Sequence, residues 1–289
     1  MMRVLLLAFL IALGTRHAWA QVYPVQPITI VVPFAEGGAS DIVTRLLAER
    51  LSGTLGQQVR VENRPGRGGV LATEQVSQAA PDGYTLLYVT TSTLVLAPIY
   101  LRVPGYDPLR SIEPISLLSS IPAVVVVNPK LPARSLEELL ALIKASPGTY
   151  RYAHSGPGGL SYNAGELFKS QTGLDVRPAQ ARGPIAAAQS VAEGNADMMF
   201  DLTVVFVKRV KEGEVRPLAV MANGRSADFP GVPSVAEAGL PEFTAYNWSG
   251  LVAPYGTPPE TVQVLNRAVQ AALSEIETQA TFQKYGLLA

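Results

Sequence analysis

Cysteine is absent from the 289 residues. That excludes disulfides, thiolate metal sites, cysteine nucleophiles and a lipid-modified N-terminal cysteine. Only two histidines occur, so a multi-histidine metal centre is excluded as well. Neither sign of charge is in surplus: 23 Lys+Arg face 23 Asp+Glu, and charged residues make up only 16% of the chain. Nothing here favours nucleic acid or an anionic membrane surface as a partner. Beyond the N-terminus, long apolar runs are missing too. The nearest, Ile121 to Val127, has the length of a strand and holds Pro122. What is present is 48% hydrophobic residues, which excludes a disordered chain. The length suits one or two domains with real cores, at roughly 150 residues each.

The first twenty residues read as an export signal. Met1-Met2-Arg3 is a short basic start, and Val4 to Leu13 is an apolar run too short to span a bilayer. Ala18-Trp19-Ala20 supplies a small-x-small cleavage pattern before Gln21. Removing this segment takes away Arg3 and Arg16 and no acid. The body is expected to be soluble and to work in the periplasm, where a cysteine-free chain is at ease.

Along the body, strands and helices alternate. Ile28 to Val32 is a β-branched run of the kind buried on both faces. A glycine turn, Phe34 to Ala39, follows it. Asp41 to Leu55 then shows helical spacing through Ile42, Leu46, Leu47 and Leu51. Val59 to Val61 and Thr85 to Val89 read as further strands, and Asn63-Arg64-Pro65-Gly66 as a turn. The second half repeats the scheme. Val124 to Val127 is a strand, and Ser135 opens a helix to Lys144 with Glu138 completing a capping box. Arg151 to Ala153 is a strand, His154 to Gly159 a second glycine turn, and Tyr162 to Thr172 a helix. Ala186 to Val191 and Val204 to Lys211 read as helices, with strands at Ala196 to Phe200, Pro217 to Met221 and Gly250 to Ala253. A long helix from Pro258 to Ile276 closes the series, with prolines at its first turn. The alternation implies parallel sheets with crossover helices, in two series split near residue 120.

The two glycine turns carry the chemistry. In Pro33-Phe34-Ala35-Glu36-Gly37-Gly38-Ala39-Ser40-Asp41 the glycines permit positive φ and close approach of a ligand. The following helix offers unpaired N–H groups and a positive dipole end, which together suit an anion. His154-Ser155-Gly156-Pro157-Gly158-Gly159-Leu160-Ser161 repeats the arrangement, and Ser161 either caps the helix or donates its hydroxyl to a ligand. Each turn alone is also what an ordinary strand-to-helix loop looks like. One in each half points to two helix ends facing a common cleft. Four charge-assisted hydrogen bonds at about 1.5–3 kcal/mol each, less the cost of closing two lobes, are compatible with a micromolar Kd, about −8 kcal/mol. Neither turn ends in the Gly-Lys-Ser/Thr of a P-loop, and G-x-G-x-x-G is missing.

At this point the residues reach a family. Tyr23-Pro24, Pro27-Ile28, Val32-Pro33-Phe34-Ala35 with Gly37-Gly38 and Asp41, and Val61-Glu62-Asn63-Arg64-Pro65-Gly66 with Gly68-Gly69 occur in order. Pro81-Asp82-Gly83-Tyr84-Thr85-Leu86-Leu87, Tyr106-Asp107-Pro108, Gly165-Glu166-Leu167-Phe168 and Met199-Phe200-Asp201 follow, then Val235-Ala236-Glu237-Ala238-Gly239-Leu240. The chain resembles the Bug family of periplasmic solute receptors, the substrate-binding subunits of tripartite tricarboxylate transporters, over nearly all of 23–289. The resemblance implies an α/β fold, the two-lobed type II periplasmic-binding-protein fold, each lobe a mixed, mostly parallel sheet flanked by helices. Lobe 1 would comprise 21–120 and 245–289, and lobe 2 would comprise 121–244. The implied ligand is a small carboxylate: a dicarboxylate, an amino acid or an aromatic acid. No cofactor or metal is implied, nor catalysis. The implied partner is an integral membrane permease, and the chain is expected to be a monomer.

Carried over residue by residue, the ligand contacts map to Phe34, Ala35, Gly37, Gly38 and Asp41. They map also to Thr91, Ser92 and Thr93 at the end of the third strand, to Ser155, Gly158, Gly159, Ser161 and Asn163, and to Asp201. Asp201 would accept from an amine, a hydroxyl or a bound water; its alternative is a cap on the helix near Thr203. The chain departs from the family in places. Glu36 stands where a small residue or proline is usual and is expected to face solvent, since a carboxylate lining the site would repel an anion. Gln180-Ala181-Arg182-Gly183-Pro184 lacks the tyrosine that usually precedes Lys/Arg-Gly, which would widen the pocket. Thr203 stands where asparagine or serine is common, and the chain stops at Gly286-Leu287-Leu288-Ala289 where the family continues with another helix.

The remaining residues have plainer readings. His154 is expected in solvent. Arg64 and Arg67 are expected in surface or interlobe pairs. Tyr246 and Trp248 either close the cleft or pack under a hinge. A sensory receptor for a membrane kinase is one alternative function. A hydrolase is another, because Gly159-Leu160-Ser161-Tyr162-Asn163 nearly fits a nucleophile elbow, with His154 as an awkwardly close base.

Overall fold

The computed structural model describes residues 23–101, 107–157, 159–284 and 287. The expected signal, residues 1–20, and the site candidate Gly158 lie outside these. The first half runs β1 (Ile28–Val32), α1 (Ala39–Leu55), β2 (Val59–Asn63), α2 (Val70–Ser77) and β3 (Thr85–Thr90), then a helical turn Thr91–Leu96 that leads into α3 (Ala97–Leu101). After α4 (Pro108–Ser111) and β4 (Ile112–Val127) come α5 (Leu136–Ala145), β5 (Arg151–His154), α6 (Leu160–Thr172), β6 (Arg177–Gln180), α7 (Pro184–Glu193), β7 (Met198–Leu202), α8 (Thr203–Lys211) and β8 (Arg216–Val220). β9 (Tyr246–Pro254), α9 (Pro259–Ser274) and α10 (Ile276–Lys284) complete the described chain.

The strands form one curled sheet in the order β2-β1-β3-β9-β4-β7-β5-β6, with β8 paired to β4. Its two ends repeat one plan. β1 lies between β2 and β3, both parallel to it, and β9 runs antiparallel to β3. Likewise β5 lies between β6 and β7, both parallel to it, and β4 runs antiparallel to β7. Helices cover both faces of each plan, so β1 is buried except for the partly exposed Thr29, and β5 is buried beyond its first residue, Arg151. One core joins Ile28, Ile30 and Val32 of β1 to Val43, Leu47 and Leu51 of α1 and to Leu265 and Val269 of α9. Another packs Val125, Tyr152, Phe168, Phe200 and Phe243 together.

β4 links the plans, and it corrects the sequence reading, which saw only Val124 to Val127 as strand. Pro114 and Pro122 look like breakers. Register shifts at Pro114/Ser116 and Leu117/Ser119 absorb the irregularity, and the strand runs for 16 residues. From Ile112 to Pro122 it pairs with β9; from Ala123 it pairs with β7 and, from Val124, with β8. The long C-terminal helix read from the sequence is α9, and α10 follows it after a break at Glu275. Glu275 is extended, with φ −72° and ψ 133°, and Arg50 of α1 holds Glu275 at 3.1 Å and also pairs with Glu277. α2 and β6, both short, are elements that periodicity alone did not reveal.

Candidate functional site

The register of β4 decides where the strand ends point. Thr90, the last residue of β3, pairs with Ser249 of β9, and Tyr246 at the start of β9 pairs with Pro122. Leu202, the last residue of β7, pairs with Ala123. The C-terminal ends of β3 and β7 therefore meet the crossing at Pro122/Ala123 from opposite sides. Their parallel neighbours β1, β2, β5 and β6 point the same way, so the turns that follow these strands confront each other.

In lobe 1 the first turn ends on Gly38, the extended N-cap of α1, and no side chain caps the helix. Gly37 sits at φ 81°, a conformation that favours glycine. Phe34 is partly buried against the lobe core, whereas Ala35, Glu36, Gly37 and Gly38 are exposed. Asp41 is buried beneath the turn. Its carboxylate accepts the Gly37 amide at 2.9 Å, Arg45 Nε at 3.0 Å and Asn63 Nδ2 at 2.9 Å. Burial opposes ionisation of Asp41, but these hydrogen bonds outweigh it and hold the carboxyl below its ordinary range. Asp41 thus braces the turn from below. Glu36 is turned outward as expected, its side chain 76% exposed and paired with Arg45 at 3.1 Å.

The end of β3 supplies a helical turn. Thr91 Oγ accepts the Trp248 amide at 3.1 Å, tying the turn to β9 beside the crossing. Thr93 is buried, its hydroxyl bonded to the Thr90 amide at 2.9 Å, and Ser92 is exposed. Tyr246 and Trp248 pack against the lobe cores, and the Tyr246 hydroxyl accepts the Asn223 amide at 3.3 Å.

In lobe 2 the second turn ends on Gly159, the extended N-cap of α6, again without a side-chain cap. A Cβ on Gly159 would lie 2.6 Å from Ser155 Oγ, so a larger residue there would displace that hydroxyl. Ser161 is fully buried and does not cap the helix. Its Oγ accepts the Ser155 amide at 3.1 Å, lies 3.1 Å from Ser155 Oγ and hydrogen-bonds Asp201. Asp201 is 5% exposed. Its Oδ1 accepts the Leu202 amide at 2.8 Å, which belongs to the N-cap residue of α8 and not to the first helical turn. Burial pushes its carboxyl above the ordinary range, and the bonds from Leu202 and Ser161 only partly offset that.

His154 departs from expectation. It ends the central strand β5, is only 4% exposed and lies between the rings of Tyr152 and Tyr162, at 5.7 and 5.0 Å. Nδ1 accepts the Gly156 amide at 3.1 Å, and burial lowers the ring's affinity for a proton. Arg64 forms the surface pair expected of it, with Glu62.

One contact spans the lobes in front of the crossing. Tyr100 of α3 donates its hydroxyl to Asn163 Oδ1 in the first turn of α6, at 3.0 Å. Sequence reasoning missed Tyr100. It follows no glycine turn, and helical spacing alone gives no sign of a residue that reaches the other lobe. Among the described residues no cluster of His, Asp and Glu fits a metal, and no helix is long and apolar enough to cross a membrane.

Comparison with known proteins gives the family. The family described as "Tripartite tricarboxylate transporter family receptor" matches residues 43–287. The protein BugT of Bordetella pertussis is 36% identical over 92% of this chain and 82% of its own length. A crystal structure of a TctC solute binding protein from Polaromonas, without ligand, superposes with TM-score 0.86 at 26% identity, covering 92% of this chain and 90% of that one. MatC from Rhodopseudomonas palustris with bound malate superposes with TM-score 0.62 at 35% identity, covering 92% and 90%. The chain belongs to the tripartite tricarboxylate transporter receptor family, with the two-lobed α/β fold of periplasmic solute-binding proteins.

Proposed function

We propose that this protein is an exported, periplasmic receptor that captures a small carboxylate between its lobes and delivers it to a membrane permease. Lobe 1 is assigned to 21–120 and 245–289, and lobe 2 to 121–244, because β4 and β9 cross between the plans at Pro122 and Tyr246. The observation that carries the reading is the pair of helices α1 and α6, both N-capped by an extended glycine with no side chain over the terminus. By contrast α5, remote from the crossing, is closed by Ser135, whose Oγ accepts the Glu138 amide at 3.1 Å. Open amides at two facing helix ends suit a carboxylate, and a ligand bridging both turns would favour closure.

Gly37, Gly38 and Gly159 present backbone to the ligand in this reading. Ser92, Thr91, Ser155 and Asn163 contribute polar groups, and Phe34 and Ala35 form the wall. Asp41, Thr93 and Ser161 hold the backbone that does the binding, and Asp201 offers remaining acceptor capacity to a hydroxyl, amine or water. The malate bound by MatC supports the ligand class. The closer superposition on a ligand-free relative, despite lower identity, supports reading the described arrangement as the open receptor. A hydrolase is disfavoured because Ser161 Oγ is engaged by Ser155 and Asp201 while His154 Nδ1 is spent on a backbone amide.

Calorimetric titration of the protein lacking residues 1–20 against organic acids and amino acids tests the proposal. A saturable carboxylate complex, recovered chemically unchanged, is the expected result; product formation, or no binding across the panel, would overturn it. Co-purification with a permease or with a kinase ectodomain separates transport from sensing.

A further inference from the structure

The shared plan of the lobes extends to their outer strands. β2 and β6 each turn into a helix whose N-cap is a glycine at positive φ, Gly69 at 97° and Gly183 at 89°, and neither helix has a side-chain cap. Each turn carries an arginine close before that glycine: Arg67, two residues ahead, in lobe 1 and Arg182, immediately ahead, in lobe 2. Both arginines are exposed, and neither side chain has a hydrogen bond or ion pair among the described residues.

Arg67 is held at φ 46°, the one non-glycine residue at positive φ among those described. Gly66, Gly68 and Gly69 around it are at 140°, 64° and 97°, so three of four residues in this left-handed turn are the type that adopts it freely. Strain of this kind at an exposed position points to a use for the side chain.

Both arginines are pinned beside the proposed site. A Cβ on Gly69 would lie 2.5 Å from Thr93 and 3.2 Å from Pro33, which fixes the Arg67 turn against the first glycine turn. The Ala181 amide donates to the His154 carbonyl at 2.9 Å, which fixes Arg182 beside the second. The nearby ion pairs leave these two out. Arg45 answers both Glu36 and Asp41, Glu62 answers Arg64, and Asp201 is buried.

We propose that Arg67 and Arg182 are a specificity-determining pair, one on each lobe, that reads a second anionic group on the ligand, remote from the carboxylate gripped by the helix ends. This rests on the carboxylate-receptor reading above. The guanidinium fork matches a carboxylate in two-point contact, and a long flexible stem lets it meet the ligand as the lobes close. In the open form both groups stay hydrated.

Matched ligands differing by one charge test this: succinate against butyrate, and adipate against hexanoate, titrated calorimetrically into the protein lacking residues 1–20 at low and high salt. The variants are Arg67→Gly and Arg182→Gln. Glycine suits the backbone at 67, so this variant should fold and melt slightly higher than the parent. The parent should prefer the dianions. Each variant should weaken dianion binding about tenfold, the scale of one charge-assisted contact, and leave the monoanions within about twofold. Equal losses for both ligand classes, or no loss for either, would overturn the proposal and leave the carboxylate receptor standing. The second outcome would redirect the arginines to an acidic surface on a membrane partner. If the parent binds none of the four acids while another member of the wider panel binds, the paired reading falls and the carboxylate receptor stands.

Discussion

The two glycine turns solve one backbone problem with opposite side-chain chemistry. Beneath the lobe 1 turn lies an ionised carboxylate, Asp41, with a cation beside it and an amide on each side. Beneath the lobe 2 turn lies a hydroxyl, Ser161, backed by a carboxylate that has no cationic partner among the described residues. The first support is strong because its charge is answered at the protein's edge. Both carboxylates bear a desolvation cost; the bonds to Asp41 outweigh it, and those to Asp201 offset it only in part. One turn is thus rigid before a ligand arrives, and the other keeps electrostatic capacity for the ligand to complete.

The comparison can be broken at five points. Asp41→Ala should have the largest effect, removing the brace from the Gly37 amide and leaving Arg45 and Asn63 without their acceptor. A loss of about 2–3 kcal/mol in both stability and ligand affinity is expected, on the scale of bonds to charged groups. Chemical denaturation and calorimetry read the two separately, and an unchanged affinity would return Asp41 to a purely structural role. Ser161→Ala should cost about 1–2 kcal/mol of stability, because the Ser155 amide and Asp201 lose a partner in a dry site. Melting without a detectable shift would contradict the buried relay.

Asp201→Asn should act in the other direction, raising stability at neutral pH by about 1 kcal/mol, or roughly 2–4 °C in Tm. The folded carboxyl titrates above its unfolded value. Its penalty is therefore full above the folded pKa and vanishes as pH falls below the ordinary aspartate range, so the gap between variant and parent should close in acid. His154 has the opposite sign. Its depressed proton affinity means the unfolded chain binds protons first, so the parent should lose stability as pH falls below about 6.5. Melting curves from pH 4 to 8 with Asp201→Asn and His154→Gln separate the two. Glu36→Ala should change affinity for an anion less than twofold, since the exposed pair with Arg45 is already screened. A marked tightening would place Glu36 inside the site.

Local signals made much of this architecture legible. The β-branched run at Ile28–Val32, the prolines opening α9 and the Ser135 cap each produce their element through neighbours in the chain. What escaped reading depends on partners far away. β4 continues through two prolines because β9, β7 and β8 pair with it, and His154 is buried because Tyr152 and Tyr162 enclose it. At the site, the glycine turns announced themselves through composition. The division between groups that touch a ligand and groups that support the turn did not. It follows from where the hydroxyls of Thr93 and Ser161 and the carboxylate of Asp41 are already spent. Tyr100 reaches Asn163 only through the tertiary fold.

β4 belongs to both lobes, and its passage from one to the other happens at a proline. A jaw that swings about this strand must twist it there, where an ordinary residue would risk its ladder amide at every cycle. Pro122 has no amide proton to surrender. In the proposed closure the crossing twists at a residue that has no ladder amide to lose.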